Sequence, residues 1–470
     1  MRKFSFQTFF LTLSIVVSLL LSYILIFDNN ALLSRFSSNP ETAQVNIQID
    51  SNNKVSDYYQ LANVKLAEII YPTNVIISEG DNAYLLNDYS GLHSLASSLS
   101  QKRISLVEKI VVPPEEKYIE LISQERVEFE FSTALPFELV DNFIKNESEE
   151  TEFEFNRIIF PKNEKNTAYL LNTFEQVYMK AKLPEGNTTD DYFKIARVSK
   201  GKWIVAERYN LSNGNHVYLP LKTMTVPSQL YTLNLVPETN VIDSLFGNVR
   251  SWRSVSTNED SSSGTIMYYN SNMELQINPF AQMLGINYKN TNQFEAKTYR
   301  QRIEQSYSQV RQFEYWKNGI RIGTQSNGTT IVYQRYLDGY PTFSSSTVNH
   351  YASSRVYFRG GNLTTSITRL ALPMVYLEAH VADQSREYEL MSVDELTYEL
   401  NMAGYSVSDF TNVVIGYEWQ DNMSEFQKVN FVPKWFFEIN NVYYSIDQIR
   451  DGELEALGNI SDSRHYFTRR

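Results

Sequence analysis

Residues 392–446 read SVDELTYELNMAGYSVSDFTNVVIGYEWQDNMSEFQKVNFVPKWFFEINNVYYSI, the clearest local grammar in the chain. Ser392 followed by Glu395 is a capping-box pattern. The serine hydroxyl and the glutamate carboxylate each satisfy one orphaned backbone N–H at a helix start. Leu396 and Leu400 form the buried pair of that helix, and Gly404 supplies the left-handed residue that ends it. VVIGYEW (413–419) and FVPKWFFEINNVYYSI (431–446) then read as strands, the second turning at Asn440-Asn441. A helix followed by antiparallel strands predicts an α+β unit rather than a parallel sheet.

The same order recurs upstream. ETNVIDSLFGNVRSW (238–252) predicts a helix that begins after Pro237, with Gly247 near its end. GTIMYYNSNMELQINP (264–279) follows as a hairpin turning at Asn270–Asn272. A long helix is expected over 291–312, with Phe294, Tyr299, Ile303 and Val310 on one side. IRIGTQSNGTTIVYQRYLDGYPTF (320–343) reads as a hairpin at Asn327-Gly328 with a second turn at Asp338-Gly339. Earlier still, VIISEGDNAYLL (75–86) is a hairpin around Gly80-Asp81, and GLHSLASSLSQKRISLVEKIVV (91–112) reads as a helix. Its apolar positions are Leu92, Leu95, Leu99 and Val107, and Pro113-Pro114 stops it. RVEFEFSTALPFELV alternates through Val127, Phe129 and Phe131 as a strand, a solvated acidic loop spans 145–152, and EFNRIIFP is the next strand. AYLLNTFEQVYMKAKL and GKWIVAERYNL suggest further strands and a short helix. The expected organisation is therefore α+β throughout: 61–225, 226–350 and 351–470 as three modules with antiparallel sheets.

The first sixty residues are of another kind. FFLTLSIVVSLLLSYILIF, Phe9 to Phe27, holds no charge, Gly or Pro. As a helix rising 1.5 Å per residue it matches the roughly 30 Å core of a bilayer. Arg2 and Lys3 precede it and Asp28 follows, which predicts a cytoplasmic tail (1–8), one transmembrane helix (9–27) and an outward-facing remainder. The run is longer than a signal-peptide core and lacks a small-x-small cleavage site, so an uncleaved anchor is expected. Residues 28–60 are a polar spacer. Within the span, Ser14, Ser18 and Ser22 recur every four residues. Such a stripe of small residues lets helix backbones approach in lipid, and marks a candidate partner-helix interface; the alternative is that each hydroxyl bonds its own i−4 carbonyl.

Composition narrows the classes. The apolar share of 42%, with 32 Tyr, 27 Phe and 5 Trp, is ample for packed cores and excludes general disorder. Net charge is −12, and setting aside the basic tail leaves the outward region near −14, which argues against nucleic-acid or anionic-lipid binding. There is no cysteine, so disulfides, thiol catalysis and thiolate metal sites are excluded.

No catalytic motif stands out. His93, His216, His350, His380 and His465 are far apart and lack zinc-ligand spacing, so each reads as an ordinary surface or core imidazole. There is no nucleophile elbow and no P-loop. Ser51-x-x-Lys54 matches an S-x-x-K pattern but sits in the spacer without a downstream K-T-G. The pairs Asp190-Asp191 and Glu149-Glu150 read as loop residues, without the apolar flank that raises a carboxylate pKa. Neither a metal nor a cofactor is expected.

Taken in order, the basic tail with one span, YPTNVIISEGDNAYLL (71–86), YQRYLDGYPTF (333–343) and FVPKWFFEINNVYYSID (431–447) resemble the YycH family, accessory regulators of the WalK–WalR two-component system in low-GC Gram-positive bacteria. The resemblance implies an outward α+β region whose later modules are similar to YycI and PepSY-type folds. It also implies partnership with YycI, contact with the sensor kinase WalK largely through transmembrane helices, and no catalytic residues. A ligand-sensing ectodomain that binds a cell-wall fragment or peptide is the second reading, and an exported cell-wall enzyme the third.

Overall fold

Period-two alternation of apolar residues between positions 74 and 220 builds a ten-stranded sheet. The computed structural model describes residues 65–454, except 81, 100–101, 112–113, 143, 148–152, 185–187, 199–202, 247–264, 279–280, 290–294, 317–318, 324–328, 345–350, 361–364 and 422–427. The strands are β1 (Asn74–Glu79), β2 (Asn82–Leu86), β3 (Arg103–Lys109), β4 (Arg126–Pro136), β5 (Lys145–Asn146), β6 (Glu154–Pro161), β7 (Thr167–Asn172), β8 (Val177–Lys182), β9 (Ile204–Asn210) and β10 (His216–Pro220). Their order is β10-β9-β2-β1-β4-β6-β7-β8-β3-β5.

On one face of β4, Val127, Phe129 and Phe131 are buried as the alternation requires. Leu92, Leu95 and Leu99 of helix Tyr89–Leu99, and Tyr192, Phe193 and Ala196 of helix Thr189–Val198, belong to the same core. Tyr192 stacks on Phe160 with ring centroids 3.8 Å apart. Each such fully buried side chain contributes about 1.5–3 kcal/mol of transfer free energy.

Two expectations fail here. The helix expected over 91–112 ends at Leu99, and Arg103–Lys109 is β3, paired with β8. Leu92, Leu95 and Leu99 carry the helical stripe, whereas Ile104 and Leu106 follow the strand period, Leu106 opposite Ala181 of β8 on one side and Ile104 opposite Asn146 of β5 on the other. Pro114 opens the next helix, Pro114–Ile122, rather than stopping one, because its fixed φ suits a first helical turn where no N–H is needed. Asp190 and Asp191 stand in the first turn of helix Thr189–Val198, not in a loop; Asp191 accepts hydrogen bonds from the Thr188 N–H (2.8 Å) and hydroxyl (3.1 Å).

Residues 229–445 form a second, fourteen-stranded sheet. A meander of Ile266–Tyr269, Met273–Asn278 and Met283–Tyr288 continues into Thr365–Pro373, Ser353–Gly360 and Thr330–Leu337. Tyr340–Ser344 then lies parallel to Asn412–Asp421, which pairs with Lys428–Ile439, then Gln229–Leu235, then Val375–His380. Strands on either side of residue 350 therefore share one sheet, with Ile331 opposite Val356. The turn pairs Asp338-Gly339 (φ 49° and 89°) and Asn440-Asn441 (φ 51° and 60°) have the left-handed conformations that two-residue hairpins need.

The long helix is Tyr299–Phe313, shorter than the expected 291–312, because the Thr298 side chain caps the Gln301 N–H at 3.2 Å and fixes the start there. Just past its end Glu314, fully buried, accepts from Arg335 (2.6 Å), from the Trp316 N–H (3.0 Å) and from the Ser354 hydroxyl. The capping box at Ser392 and Glu395 is present, Leu396 and Leu400 are buried, and Gly404 has φ +86°. The class is thus α+β with antiparallel sheets. Among the described residues no helix is long and apolar enough to cross a membrane. The span 9–27, the spacer 28–60, the Asn327-Gly328 turn and Phe294 lie outside the described residues.

Candidate functional site

The face of β4 opposite the apolar one carries charge. Arg126, Glu128 and Glu130 all point away from Phe129 and all are buried or nearly so, at 1% and 0% exposure for the first two. Register aligns them with neighbours: Glu130 lies opposite Asn74 on β1 and Arg157 on β6. Helix Pro114–Ile122 contributes Tyr118, and β10 brings His216 and Tyr218 to the same face.

The result is a largely buried ionic seam. Arg126 Nε meets Glu128 Oε2 at 3.0 Å, Arg157 bonds Glu128 through Nη1, and Arg157 Nη2 reaches Glu130 Oε1 at 2.7 Å and the His216 carbonyl at 2.8 Å. Arg126 also donates to the Ile122 carbonyl (2.6 Å) and to the Tyr218 hydroxyl, while Asn74 Nδ2 donates to Glu130 Oε2 at 2.8 Å. Two guanidiniums thus balance two carboxylates. That balance matters, because an uncompensated charge in such a place costs several kcal/mol.

The field inside the seam sets its protonation. Burial alone would raise Glu128, but Arg157, His216 and Arg126 more than offset it and hold its carboxyl well below the usual range. For Glu130 burial prevails over Arg157, and the carboxyl is raised. Burial, reinforced by Arg157, pushes His216 down to about 4, so the ring is neutral at pH 7. Tyr118 and Tyr218 are raised, chiefly by burial. His216 Nδ1 lies 2.5 Å from the Tyr118 hydroxyl and Nε2 lies 3.4 Å from Glu128 Oε1. Nε2 also lies 3.3 Å from Arg157 Nη1, so the ring bridges the Tyr118 hydroxyl and the ion pairs.

One edge of the seam opens into a cavity of about 590 Å³. Glu130, Arg157, His216 and Tyr218 contribute to its wall from the first sheet, and Tyr336, Tyr340, Trp435 and Glu438 from the second. Hydrogen bonds hold the two sheets together beside it: Ser212 N–H to the Phe410 carbonyl (2.9 Å), Asn213 Nδ2 to the Thr411 carbonyl (3.1 Å) and Arg321 Nη1 to the Pro72 carbonyl (3.1 Å). The size is that of a small-ligand site. Among the described residues no cluster of His, Asp and Glu has the arrangement of a metal centre.

The expected site residues fare differently. Ser14, Ser18 and Ser22 lie outside the described residues, as do Ser51, Lys54, Glu149, Glu150, His350 and His465. His93 is exposed beside Tyr71, with ring centroids 6.0 Å apart, and His380 is exposed beside Tyr231 at 4.9 Å. Of the described histidines, His216 is the one that joins the buried charged cluster. The seam was not anticipated, although one signal for it exists: in RVEFE every second residue is charged, and NRIIF carries the matching arginine.

Comparison with known proteins follows the same lines. The model of the YycH protein N-terminal domain matches residues 5–195, and that of the YycH protein C-terminal domain matches residues 214–453. The crystal structure of YycH from Bacillus subtilis superposes with a TM-score of 0.64 at 14% identity, covering 84% of this chain and 99% of that one. An uncharacterised protein from Eubacterium rectale aligns over 51% of this chain and 88% of its own at 7% identity, with a TM-score of 0.24 that carries no argument. No curated protein matches the chain in sequence.

Proposed function

The chain belongs to the YycH family, and on that premise we propose that it is a membrane-anchored accessory regulator of a WalK-type sensor histidine kinase, acting with a YycI-like partner. The observation that supports this is the family match, which covers residues 5–195 and 214–453 with the two domains in order. In this reading 9–27 is the single span, the N-terminus is cytoplasmic, and the α+β region lies outside the cell, its later part related to YycI and PepSY-type folds. The protein controls cell-wall metabolism by changing kinase autophosphorylation, and it is not an enzyme.

Contact runs through packed transmembrane helices along Ser14, Ser18 and Ser22. Ser18→Leu then weakens association with kinase and partner in a membrane crosslinking assay, while Leu20→Ile, roughly opposite the stripe, leaves it intact. Steric blocking exceeds Ser18→Ala in effect, since a hydroxyl bond in lipid is worth only about 0.6 kcal/mol. If every span variant associates like the parent while loss of the outward region abolishes association, the stripe is not the contact. A tag after Arg470 is accessible to protease on intact protoplasts; a soluble form beginning near residue 30 would refute the anchor.

A second reading, in which the outward region senses a small ligand, is favoured by the cavity between the sheets and is compatible with the first.

A further inference from the structure

The seam is electrically closed, but the rest of the cavity wall is not. Beyond Glu130 and Arg157, the described wall carries Glu154 and Glu175 close to one another, with Arg302 beside Glu154. Among the described residues the Glu154 carboxylate forms neither a hydrogen bond nor an ion pair. Burial and the like charge of Glu175 push it upward, and Arg302 offsets only part of this. On the same wall Asn215, at 5% exposure, keeps Oδ1 with no hydrogen-bond partner. This is a buried acceptor, complementary to an N–H or O–H donor. Tyr340 and Trp435 add aromatic side chains to the wall, of a kind that attracts cations, while the Tyr299 ring already lies under the Arg302 guanidinium at 5.1 Å.

An excess of carboxylate, a buried orphan acceptor and aromatic faces describe one kind of guest. We propose that the cavity binds a small polar ligand carrying a protonated amine, with the amine held near Glu154 and Glu175 and Asn215 accepting a hydrogen bond from the ligand. The proposal rests on the ligand-sensing reading and names its chemistry. A lysine-bearing peptide and an amino sugar both supply that group.

Calorimetric titration of the full-length chain in detergent micelles separates these possibilities. The probes are acetyl-Ala-Lys-Ala-amide, the same peptide with its lysine Nε acetylated, acetyl-Ala-Glu-Ala-amide, glucosamine and N-acetylglucosamine. The expected result is binding of the lysine peptide or of glucosamine, and at least tenfold weaker binding of its acetylated counterpart. Peptide binding without glucosamine binding assigns the peptide source, and the converse assigns the sugar. Glu154→Gln and Glu175→Gln each weaken binding about fivefold, as for a half-exposed charge pair, at an unchanged urea midpoint, and Arg302→Gln strengthens it. Equal binding of free and acetylated forms would overturn the amine while leaving a ligand cavity. Preference for the glutamate peptide, lost in Arg302→Gln, would make it an anion site. No binding of any probe would overturn both this inference and the ligand-sensing reading.

Discussion

Arg157→Met is the most informative perturbation of the seam. The guanidinium bonds Glu128, Glu130 (2.7 Å) and the His216 carbonyl (2.8 Å), all in surroundings where Arg157 itself is 2% exposed. Methionine keeps the volume and removes the charge, leaving two carboxylates on one strand face with only Arg126 between them and neutrality. Removing one partner of a buried pair typically costs about 3–5 kcal/mol, a large share of the 5–15 kcal/mol that holds a domain together.

The pH dependence distinguishes this cause from a mere packing defect. In the parent, His216 has its pKa lowered from 6.5 to about 4, so below pH 6.5 the unfolded chain takes up a proton that the folded one refuses. Parent stability therefore falls as the pH drops from about 6.5 towards 4, by up to about 3 kcal/mol at 1.36 kcal/mol per unit. In the variant the carboxylates lose the charge that held them down, so their folded pKa values rise. A raised carboxyl contributes stability below its unfolded value and loses it as pH climbs through the folded one. His216 also loses the cation that kept it neutral. Both changes let the folded variant bind protons, so its deficit relative to the parent is largest at pH 7 and shrinks by pH 5. Urea unfolding followed by tryptophan fluorescence at the two pH values measures this. A deficit below 1 kcal/mol, or one that grows on acidification, refutes the reasoning.

Two further substitutions probe local geometry. Ser392→Ala removes the N-cap of helix Val393–Met402 and costs about 1 kcal/mol, whereas Gly404→Val costs more because φ +86° excludes a β-branched residue; equal, negligible shifts in urea midpoint would contradict both. Gly416→Ala places a Cβ against the Phe343 ring and 2.8 Å from the Pro341 carbonyl and costs about 1–3 kcal/mol in the same assay.

Where local chemistry decides structure, the sequence was readable. Ser392 with Glu395, Asn440-Asn441, Asp338-Gly339 and the Val127-Phe129-Phe131 alternation each depend on a handful of adjacent residues, and each is found in place. The errors came where distant pairing overrides local pattern. Residues 103–109 carry apolar side chains compatible with a helix, yet β8 recruits them as a strand, and Pro113-Pro114 marks a beginning instead of an end. The seam, beyond the charged alternation of RVEFE, was hidden for the same reason. Glu128 and Arg157 are 29 positions apart, and nothing in either neighbourhood says that β10 will bring His216 over them. A charged alternate face on a strand normally faces water, so burial of RVEFE on both sides is a property of the whole fold.

The placement of Gln229–Leu235 between Lys428–Ile439 and the edge strand Val375–His380 has a consequence for how the molecule comes into being. Gln229 pairs with Phe431, about 200 residues later, so that strand has no permanent neighbour on that side until residues 428–431 have been made. At about 5–20 residues per second of synthesis, it waits on the order of 10–40 seconds with an open edge. The first sheet, complete by residue 220, faces no such delay. Maturation is thus expected to be sequential, the leading half acquiring its structure early and the trailing half closing late. The interval between them is when folding assistants have most to do.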